Sequence, residues 1–463
     1  MKRKSIFLII SGFMVLAPSL SHSGTEVYSS TTIPTKVTTA GIPGPRTCFW
    51  SKGPIGGDPY INIAIPDTNA FYWAASFSMP KGAKLELVGD FPYSRYMSIQ
   101  SYNENGAPLD NATDYLIQPE KGSINPFITG NNRNAKNRKY SLEILNKQNP
   151  EKINFGRINE AGKMQVLYAP AYGEGQQTLV YRIYVPNKGK NITGGTNLPI
   201  PKLTLANGQQ FIGEEACTKL NAGQKLQINM ASATGITPIE YRNLAQQAGK
   251  PITWPAQNPS QWYILQDRKS ISGIYTGDFG ENSDGKMEGF YNNIDNQYIR
   301  TIVNRKFGKV YVMRGKAPIA PKTFNNDAVM KSGQLRYWSI CSNQSFANTR
   351  VNDCLYDEEI PLDKNGNYTV VISRPEDRPR NAIPECGIAW LPMAKDGDGV
   401  FDEDVSAIYL RHMLAASDFN TTISRIKNQK EVAQVLGPYY PKTTYFMPNQ
   451  VEAFISCSPK DGR

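Results

Sequence analysis

The pentapeptide Arg95-Tyr96-Met97-Ser98-Ile99 occurs a second time, with one change, as Arg336-Tyr337-Trp338-Ser339-Ile340. Both copies are rich in residues that favour strands. Around them, four further pairs of similar segments follow in the same order: Lys84–Val88 with Lys309–Met313, Ala107–Asp110 with Ile360–Asp363, Lys139–Ile144 with Asn367–Ile372, and Leu179–Tyr184 with Ala407–His412. This order predicts two copies of one β-sandwich unit.

Other short runs bounded by Gly, Pro, Asn or Asp favour the same fold class. The first is Tyr60–Ile65, in which isoleucines alternate with Asn62 and Ala64. We therefore expect a mainly β protein with two related β-sandwich or jelly-roll domains, at residues 59–235 and 269–463.

Two segments predict helices. Thr237-Pro238-Ile239-Glu240 has the pattern of a capping box with proline at the first helical position, and Gly249 ends that helix. We place it in a linker between the domains, at residues 236–268. Near the C-terminus, Gln429–Leu436 precedes Gly437-Pro438, which is a stop signal.

The first 23 residues are typical of a secretory signal peptide. Lys2-Arg3-Lys4 precedes the apolar run Ile6–Leu16, and Ser21-His22-Ser23 offers small residues for cleavage. Residues 24–58 predict a flexible N-terminal arm. No later run is apolar for long enough to cross a membrane, so we expect a secreted or periplasmic protein with no transmembrane segment after signal removal.

Charge and histidine content exclude several classes of function. The chain has 51 Lys and Arg against 40 Asp and Glu, but only two His. So few histidines exclude a three-His zinc site or a HEXXH protease. His412 lies in a predicted strand, where a hydrogen-bonded core histidine is favoured over a catalytic base. The basic run from Arg133 to Lys139 favours a solvated loop over a nucleic-acid footprint, and no nucleic-acid partner is expected.

The six cysteines are even in number and contain no CxxC motif, which in an exported chain predicts disulfides. Sequence alone permits 15 pairings. We choose Cys341–Cys354, which closes a short loop, Cys386–Cys457, and Cys48–Cys217, which ties the ends of the first domain. Buried free thiols are the alternative.

The repeated pentapeptide also supplies candidate ligand-binding residues, which are Arg95, Tyr96, Arg336 and Trp338. Side chains alternate across a strand, so Arg336 and Trp338 share a face. A guanidinium beside an indole could hold an anion or a sugar ring. The alternative is structural, with Tyr337 in the core and Arg336 paired with a carboxylate across the sheet.

Two acidic segments are further candidates. The first comprises Asp353, Asp357, Glu358, Glu359 and Asp363. It could support glycoside hydrolysis if two carboxylates flank a cleft, and the alternative is a solvated acidic hairpin. The second offers Asp396, Asp398 and Asp402 on a glycine-containing loop, which suits calcium although the EF-hand spacing is not met. No other cofactor is expected.

Several of these segments resemble a pair of bacterial domains. The order of Arg336–Cys341, Tyr368–Ser373, Ala389–Pro392 and Tyr409–Arg411 resembles that in the domain of unknown function twelve-fourteen, which often follows domain twelve-fifty-four. The mature chain also looks like a group of uncharacterised secreted bacterial proteins. The resemblance implies tandem jelly rolls and brings no settled activity.

From these observations we expect an exported binding or envelope-associated protein whose ligand is a glycan or an anionic surface molecule. The alternatives are a secreted hydrolase of polysaccharides or esters that uses the carboxylates of residues 353–359, and a calcium-stabilised structural protein. The sequence leaves the oligomeric state open.

Overall fold

The computed structural model describes residues 41–150, 161–225, 236–265, 268–279, 291–455 and 457. The predicted signal peptide and residues 24–40 of the predicted arm lie outside this range. The described chain is mainly β and forms two sandwiches of two sheets each.

The first sandwich has five strands in each sheet. The first sheet has the order β1-β2-β8-β4-β5, and the second sheet has the order β10-β9-β3-β6-β7. The bounds are β1 Lys52–Ile55, β2 Ala70–Ser78, β3 Lys84–Asp90, β4 Ser94–Tyr102, β5 Pro108–Thr113, β6 Lys139–Leu145, β7 Val166–Tyr168, β8 Gln176–Pro186, β9 Ile200–Thr204 and β10 Gln210–Ile212.

The second sandwich pairs the sheet β11-β12-β18-β14-β15 with the sheet β17-β16-β13-β19. Its strands are β11 Tyr263–Leu265, β12 Asn296–Asn304, β13 Val310–Lys316, β14 Leu335–Asn343, β15 Val351–Tyr356, β16 Asn367–Ser373, β17 Ala389–Pro392, β18 Val405–Ala415 and β19 Lys442–Phe446.

The strand orders of the two sandwiches correspond place by place. β2, β8, β4 and β5 occupy the places that β12, β18, β14 and β15 occupy in the second sandwich. In the other sheets, β6–β7 and β16–β17 are parallel pairs, while the remaining pairs of named strands are antiparallel. The two copies of the pentapeptide lie in the equivalent strands β4 and β14.

Strands β4 and β14 are covered on both faces. Met97 and Ile99 of β4 point into the core of the first sandwich, and Trp338 and Ile340 of β14 point into the core of the second. The opposite faces carry Tyr96 and Tyr337, which belong to one apolar cluster shared by both sandwiches. The two sandwiches therefore pack against each other through the outer faces of their central strands.

Within the described residues, five short α-helices accompany the sheets: α1 Glu214–Lys219, α2 Pro238–Ala245, α3 Arg268–Thr276, α4 Val432–Leu436 and α5 Pro448–Phe454. The predicted capping box is present at α2. Thr237 N donates to Glu240 Oε2 at 2.8 Å, and Glu240 N donates to Thr237 Oγ1 at 3.2 Å. The helix predicted at Gln429–Leu436 is a 3₁₀ turn that leads into α4.

All three predicted disulfides are confirmed. Cys48 bonds Cys217, Cys341 bonds Cys354 across the neighbouring strands β14 and β15, and Cys386 bonds Cys457. Disulfides are typical of proteins in oxidising compartments. In the described ranges, no helix has both the length and the apolar character that crossing a bilayer requires.

The segment before residue 59 is not a free arm where the structure describes it. Phe49 and Trp50 are fully buried in the first core, and Cys48 and β1 attach the same segment to the sandwich. The strand predicted at Tyr60–Ile65 is also wrong, because Ala64 and Ile65 have positive φ angles. This segment lies on the second sandwich instead, where Ile65 N donates to Thr349 O at 2.7 Å.

The basic run from Arg133 to Lys139 is a solvated loop only in part, because Lys136 and Lys139 are exposed whereas Arg133 and Arg138 are buried. Arg133 is buried and donates to the backbone oxygens of Ser94, at 3.0 Å, and Asp327, at 2.8 Å. The guanidinium of Arg138 lies 3.5 Å from the centre of the Tyr93 ring. These arginines form hydrogen bonds and ring contacts within the protein, and Arg133 links the two sandwiches.

His412 is buried in β18, where Ile423 N donates to its Nδ1 at 3.4 Å. Burial lowers the pKa of His412 from 6.5 to about 3. The folded protein therefore keeps a neutral ring in a pH range where the unfolded chain takes up a proton. The stability that this ring contributes is fully present above pH 6.5 and is lost as the pH falls towards 3.

We expect His412→Gln to flatten the pH dependence of the free energy of unfolding between pH 6.5 and about 4. The slope should fall by up to about 1.4 kcal/mol per pH unit. Urea unfolding of both proteins across this range measures it, and carboxylates that titrate in both proteins cancel in the comparison. Equal slopes would show that the ring is not kept neutral.

Candidate functional site

The two arginines of the repeated pentapeptide reach across the interface between the sandwiches. Arg95 Nη1 lies 3.0 Å from Asp357 Oδ1, and Arg95 Nη2 pairs with Glu358. In the opposite direction, Arg336 Nη1 lies 3.2 Å from Asp114 Oδ2. The contacts are reciprocal. The arginine of β4 reaches the carboxylates that follow β15, and the arginine of β14 reaches the carboxylate that follows β5.

A second exchange runs through tyrosine hydroxyls. Tyr96 donates to Asp295 Oδ2 at 2.7 Å, and Tyr337 donates to Asp67 Oδ2 at 2.8 Å. Asp67 and Asp295 directly precede β2 and β12, so the segment before each of these strands passes over the sheet of the other sandwich. Arg411 adds an ion pair to Asp67 at 2.9 Å.

The interface groups are titratable and almost completely buried. Burial raises the pKa of Asp114 to about 6, against the opposing effect of Arg336. Burial also raises the pKa of Asp357 and of Asp295. For Arg95, burial lowers the pKa, but the charges of Asp357 and Glu358 outweigh burial and leave it raised. These charges depend on partners that lie in the other sandwich.

The candidate ligand-binding residues Arg95, Tyr96, Arg336 and Trp338 lie at or beside this interface. Arg95, Tyr96 and Trp338 are at most 1% exposed. Trp338 packs on Tyr368, and its Nε1 donates to Pro318 O at 3.1 Å. Separation of the sandwiches would uncover Arg95 and Tyr96, but Trp338 would stay inside the core of the second sandwich. Arg336 pairs with a carboxylate, as the structural alternative has it, although that carboxylate belongs to the other sandwich.

The acidic segment of residues 353–363 does not present two free carboxylates across a cleft. Asp357 and Glu358 pair with Arg95. Glu359 Oε2 accepts from Tyr356 N at 3.1 Å, and Asp363 accepts from backbone groups of its own turn. The acidic residues of this segment therefore pair with an arginine of the other sandwich or accept hydrogen bonds that stabilise a turn.

The carboxylates of Asp396, Asp398 and Asp402 do not come together as a calcium site would require. Asp396 Oδ1 accepts from Gln344, and Asp402 Oδ1 accepts from Asp404 N at 3.0 Å. Within the described ranges, Asp67, Cys341 and Cys354 form the one group of three potential ligands. The two cysteines form a disulfide, so no thiolate is left to bind a metal there.

Asp398 instead lies at a cavity of about 350 Å³ between the interdomain segment and the second sandwich. One wall comes from α2 and the residues that follow it, and the other from the loop before β18. The cavity lining includes Tyr241, Lys250, Trp254, Asp398, Phe401 and Asp402.

The loop conformation directs Asp398 inwards. Its Oδ1 accepts backbone N–H groups from Val400, Phe401 and Asp402 at 2.7, 2.9 and 3.2 Å. The residue is 1% exposed, its Oδ2 has almost no solvent-accessible surface, and the Tyr241 hydroxyl lies close enough to hydrogen-bond to the carboxylate. Burial raises the pKa of Asp398; the three N–H groups and, last in size, the nearby Tyr241 hydroxyl oppose that rise.

Aromatic rings form much of the remaining surface. The rings of Tyr241 and Phe401 have centres 5.7 Å apart, and Lys250 Nζ lies 4.0 Å from the centre of the half-buried Trp254 ring. The sequence patterns pointed to Asp398 and to the helix that carries Tyr241, but not to Lys250 or Trp254. A tryptophan in a polar, proline-rich linker was the signal for this site.

No protein-family model and no curated protein matches the chain. Similar solved structures include an uncharacterised protein from Burkholderia cenocepacia, which is 8% identical with a TM-score of 0.42 over 83% of this chain and 78% of that chain. A protein from Vibrio parahaemolyticus is 13% identical with a TM-score of 0.38 over 82% of this chain and 89% of that chain. The resemblance to domains twelve-fifty-four and twelve-fourteen stays a prediction.

We expect Arg95→Met to lower the free energy of unfolding by about 3–5 kcal/mol, because it leaves Asp357 and Glu358 without their cation. Urea unfolding measures the change. The triple variant Arg95→Met, Asp357→Asn, Glu358→Gln should recover part of the loss, since it removes the unpaired charges.

Arg380→Gln is the matched control. Arg380 pairs with Glu452 at 2.7 Å, but its side chain is 88% exposed, so its loss should change the unfolding midpoint little. Equal effects of Arg95→Met and Arg380→Gln would contradict the structural role assigned to the interface pair.

Proposed function

We propose that this protein is an exported binding protein that holds a glycan in the cavity between α2 and the Asp398 loop. The observation that carries the proposal is a cavity lined by the aromatic side chains of Trp254, Tyr241 and Phe401 together with the carboxylate of Asp402. Binding sites in proteins commonly combine apolar walls with a few polar groups in fixed positions.

The composition of the cavity suits a sugar ring. An aromatic face such as that of Trp254 packs on the C–H face of a pyranose, while carboxylates accept hydrogen bonds from its hydroxyls. Asp402 supplies a carboxylate acceptor on one wall, and Gln246 offers a side-chain amide on the opposite wall. The volume of about 350 Å³ accommodates one or two sugar rings.

Three features support export and an envelope role. The three disulfides suit an oxidising compartment. The predicted signal peptide supplies the route, and the net positive charge of the chain favours approach to anionic envelope surfaces. Secreted and periplasmic locations both fit.

On this proposal the two sandwiches are copies of one unit that have diverged. The matching strand order of the sheets that contain β4 and β14, the repeated pentapeptide and the reciprocal arginine and tyrosine contacts support a common origin. Only the second copy carries the cavity described above, which would be the functional difference between them.

We expect the mature protein to be retained on a glycan array, and Trp254→Ala to weaken retention roughly tenfold, which corresponds to about 1.4 kcal/mol. Trp254→Phe should retain most binding, because it keeps an aromatic face. Titration calorimetry with the best array ligand gives the dissociation constants.

Phe454→Ala is the control, since Phe454 is 55% exposed and does not line the cavity. The proposal would be abandoned if no glycan on the array retained the protein, or if the Phe454 and Trp254 variants weakened binding equally.

A further inference from the structure

Positive charge is concentrated where three loops meet beside the interface between the sandwiches. The loops are residues 131–138 before β6, residues 187–196 after β8 and residues 318–334 between β13 and β14. Together they contain seven lysines and arginines and one acidic residue, Asp327. The whole chain has 51 Lys and Arg against 40 Asp and Glu, so these loops are much more basic than the rest of the protein.

Hydrogen bonds join the three loops to one another. Arg133 N donates to Ala328 O at 2.8 Å. Lys188 N donates to Phe324 O at 2.7 Å. Arg133 Nη2 donates to Asn187 Oδ1 at 2.7 Å, so the loops form one surface. We call it the basic surface, and its exposed lysines are Lys136, Lys188, Lys190, Lys322 and Lys331.

The exposed lysines of the basic surface have no carboxylate partners among the residues that the structure describes. Lysines of the neighbouring sheet differ in this respect, since Lys84 in β3 and Lys202 in β9 lie 3.6 and 3.4 Å from Glu86. Lys190 contacts an aromatic ring instead, with its Nζ 4.7 Å from the centre of the Tyr93 ring. The charge of the basic surface is therefore not neutralised by neighbouring acidic groups.

Two buried arginines fix the conformation of this surface and add to its charge. Arg138 Nη2 donates to Pro92 O at 3.3 Å, and Arg133 donates to the backbone oxygens described above. Within the described ranges, neither guanidinium pairs with a carboxylate. Burial lowers the pKa of Arg133 to about 10, so this residue is protonated at neutral pH. Both charges strengthen the positive potential around the exposed lysines.

The distribution of these groups suits a broad anionic surface. Long, exposed lysine side chains on three loops make separate and individually weak contacts, which add up on a bilayer that contains anionic lipids. Val329 is 42% exposed in the same surface, and the headgroup region of a membrane accepts an apolar side chain among cations. Nucleic acid matches the charge as well, but the three disulfides favour an exported location, where envelope membranes are an available anionic surface.

We propose that the basic surface docks the protein on a membrane rich in anionic phospholipids, with the lysine ammonium groups at the lipid phosphates and Val329 at the level of the headgroups. The contact is electrostatic and reversible, and no covalent step is involved. This docking goes beyond the glycan binding proposed above, and it uses none of the residues that line the cavity. It shares with that proposal only the expected export.

Sedimentation of the mature protein with lipid vesicles tests the docking. One set of vesicles contains equal parts of phosphatidylcholine and phosphatidylglycerol, and the other contains phosphatidylcholine alone. At about 50 mM salt we expect binding to the anionic vesicles to be at least about tenfold tighter than binding to the neutral ones, and about 500 mM salt should release the protein. Equal binding to both sets, absence of binding to the anionic set, or binding that persists at the higher salt would overturn the proposal.

Lys136→Glu combined with Lys188→Glu should weaken binding to the anionic vesicles at least about tenfold, because each exposed lysine contributes separately. The matched control combines Lys427→Glu with Lys430→Glu. These lysines are also exposed but lie outside the three loops, so the same change in net charge should weaken binding less than about threefold. Equal losses in the two variants would show that net charge alone drives binding and would overturn the docking surface.

Two further measurements complete the test. Lys136→Gln combined with Lys188→Gln removes the charges without introducing acidic groups, and unchanged vesicle binding in this variant would also contradict the proposal. Tighter binding to a DNA duplex than to the anionic vesicles at equal salt would replace the membrane with nucleic acid as the partner. Glycan retention is measured without lipid and vesicle binding without glycan, so either function can fail while the other stands.

Discussion

The pairing of buried charges across the interface is the constraint on which the rest of the architecture depends. Arg95 is completely buried, and its carboxylates belong to the other sandwich. An isolated charge of this kind would strongly oppose burial, so the outer faces of β4 and β14 can be covered only when both sandwiches are present in one relative orientation. The ion pairs thus select an orientation, whatever net stability they add.

This orientation also positions the cavity. The segment that connects the sandwiches must run from the first sandwich to β11, and it packs on the second through Tyr241, which contacts Tyr275 of α3. Both tyrosines share an apolar cluster with Ile302 and Tyr409 of the central strands β12 and β18. The wall that carries Trp254 is therefore held by a connecting segment whose two ends are fixed by the packed sandwiches.

Local sequence patterns predicted those elements whose structure is determined by neighbouring residues. Strand periodicity located β4, β6, β14 and β16, and the capping box located the start of α2, because these elements follow from neighbouring residues. The disulfides could be paired from loop lengths and domain ends.

The partners of Arg95 could not be predicted from the sequence, since Asp357 lies 262 residues away and no local pattern specifies that contact. The cavity was missed for the same reason, because Trp254 and Asp398 lie in distant segments. The charge run at Arg133 was misinterpreted because composition does not distinguish an exposed arginine from one that donates to buried carbonyl groups.

The segments before β2 and β12 each cross the sheet of the other sandwich, and this crossing constrains the order in which the protein can fold. Arg411 pairs with Asp67 over a separation of 344 residues. A chain that emerges N-terminus first can close most of the first core once α1 has formed, but Asp67 and Arg95 stay exposed to solvent until their partners in the second sandwich have been made. The interface therefore forms late, after most of the polypeptide has been made. A chain truncated before β18 would keep a folded first sandwich whose interface face is exposed, and proteases of the quality-control system could recognise that face.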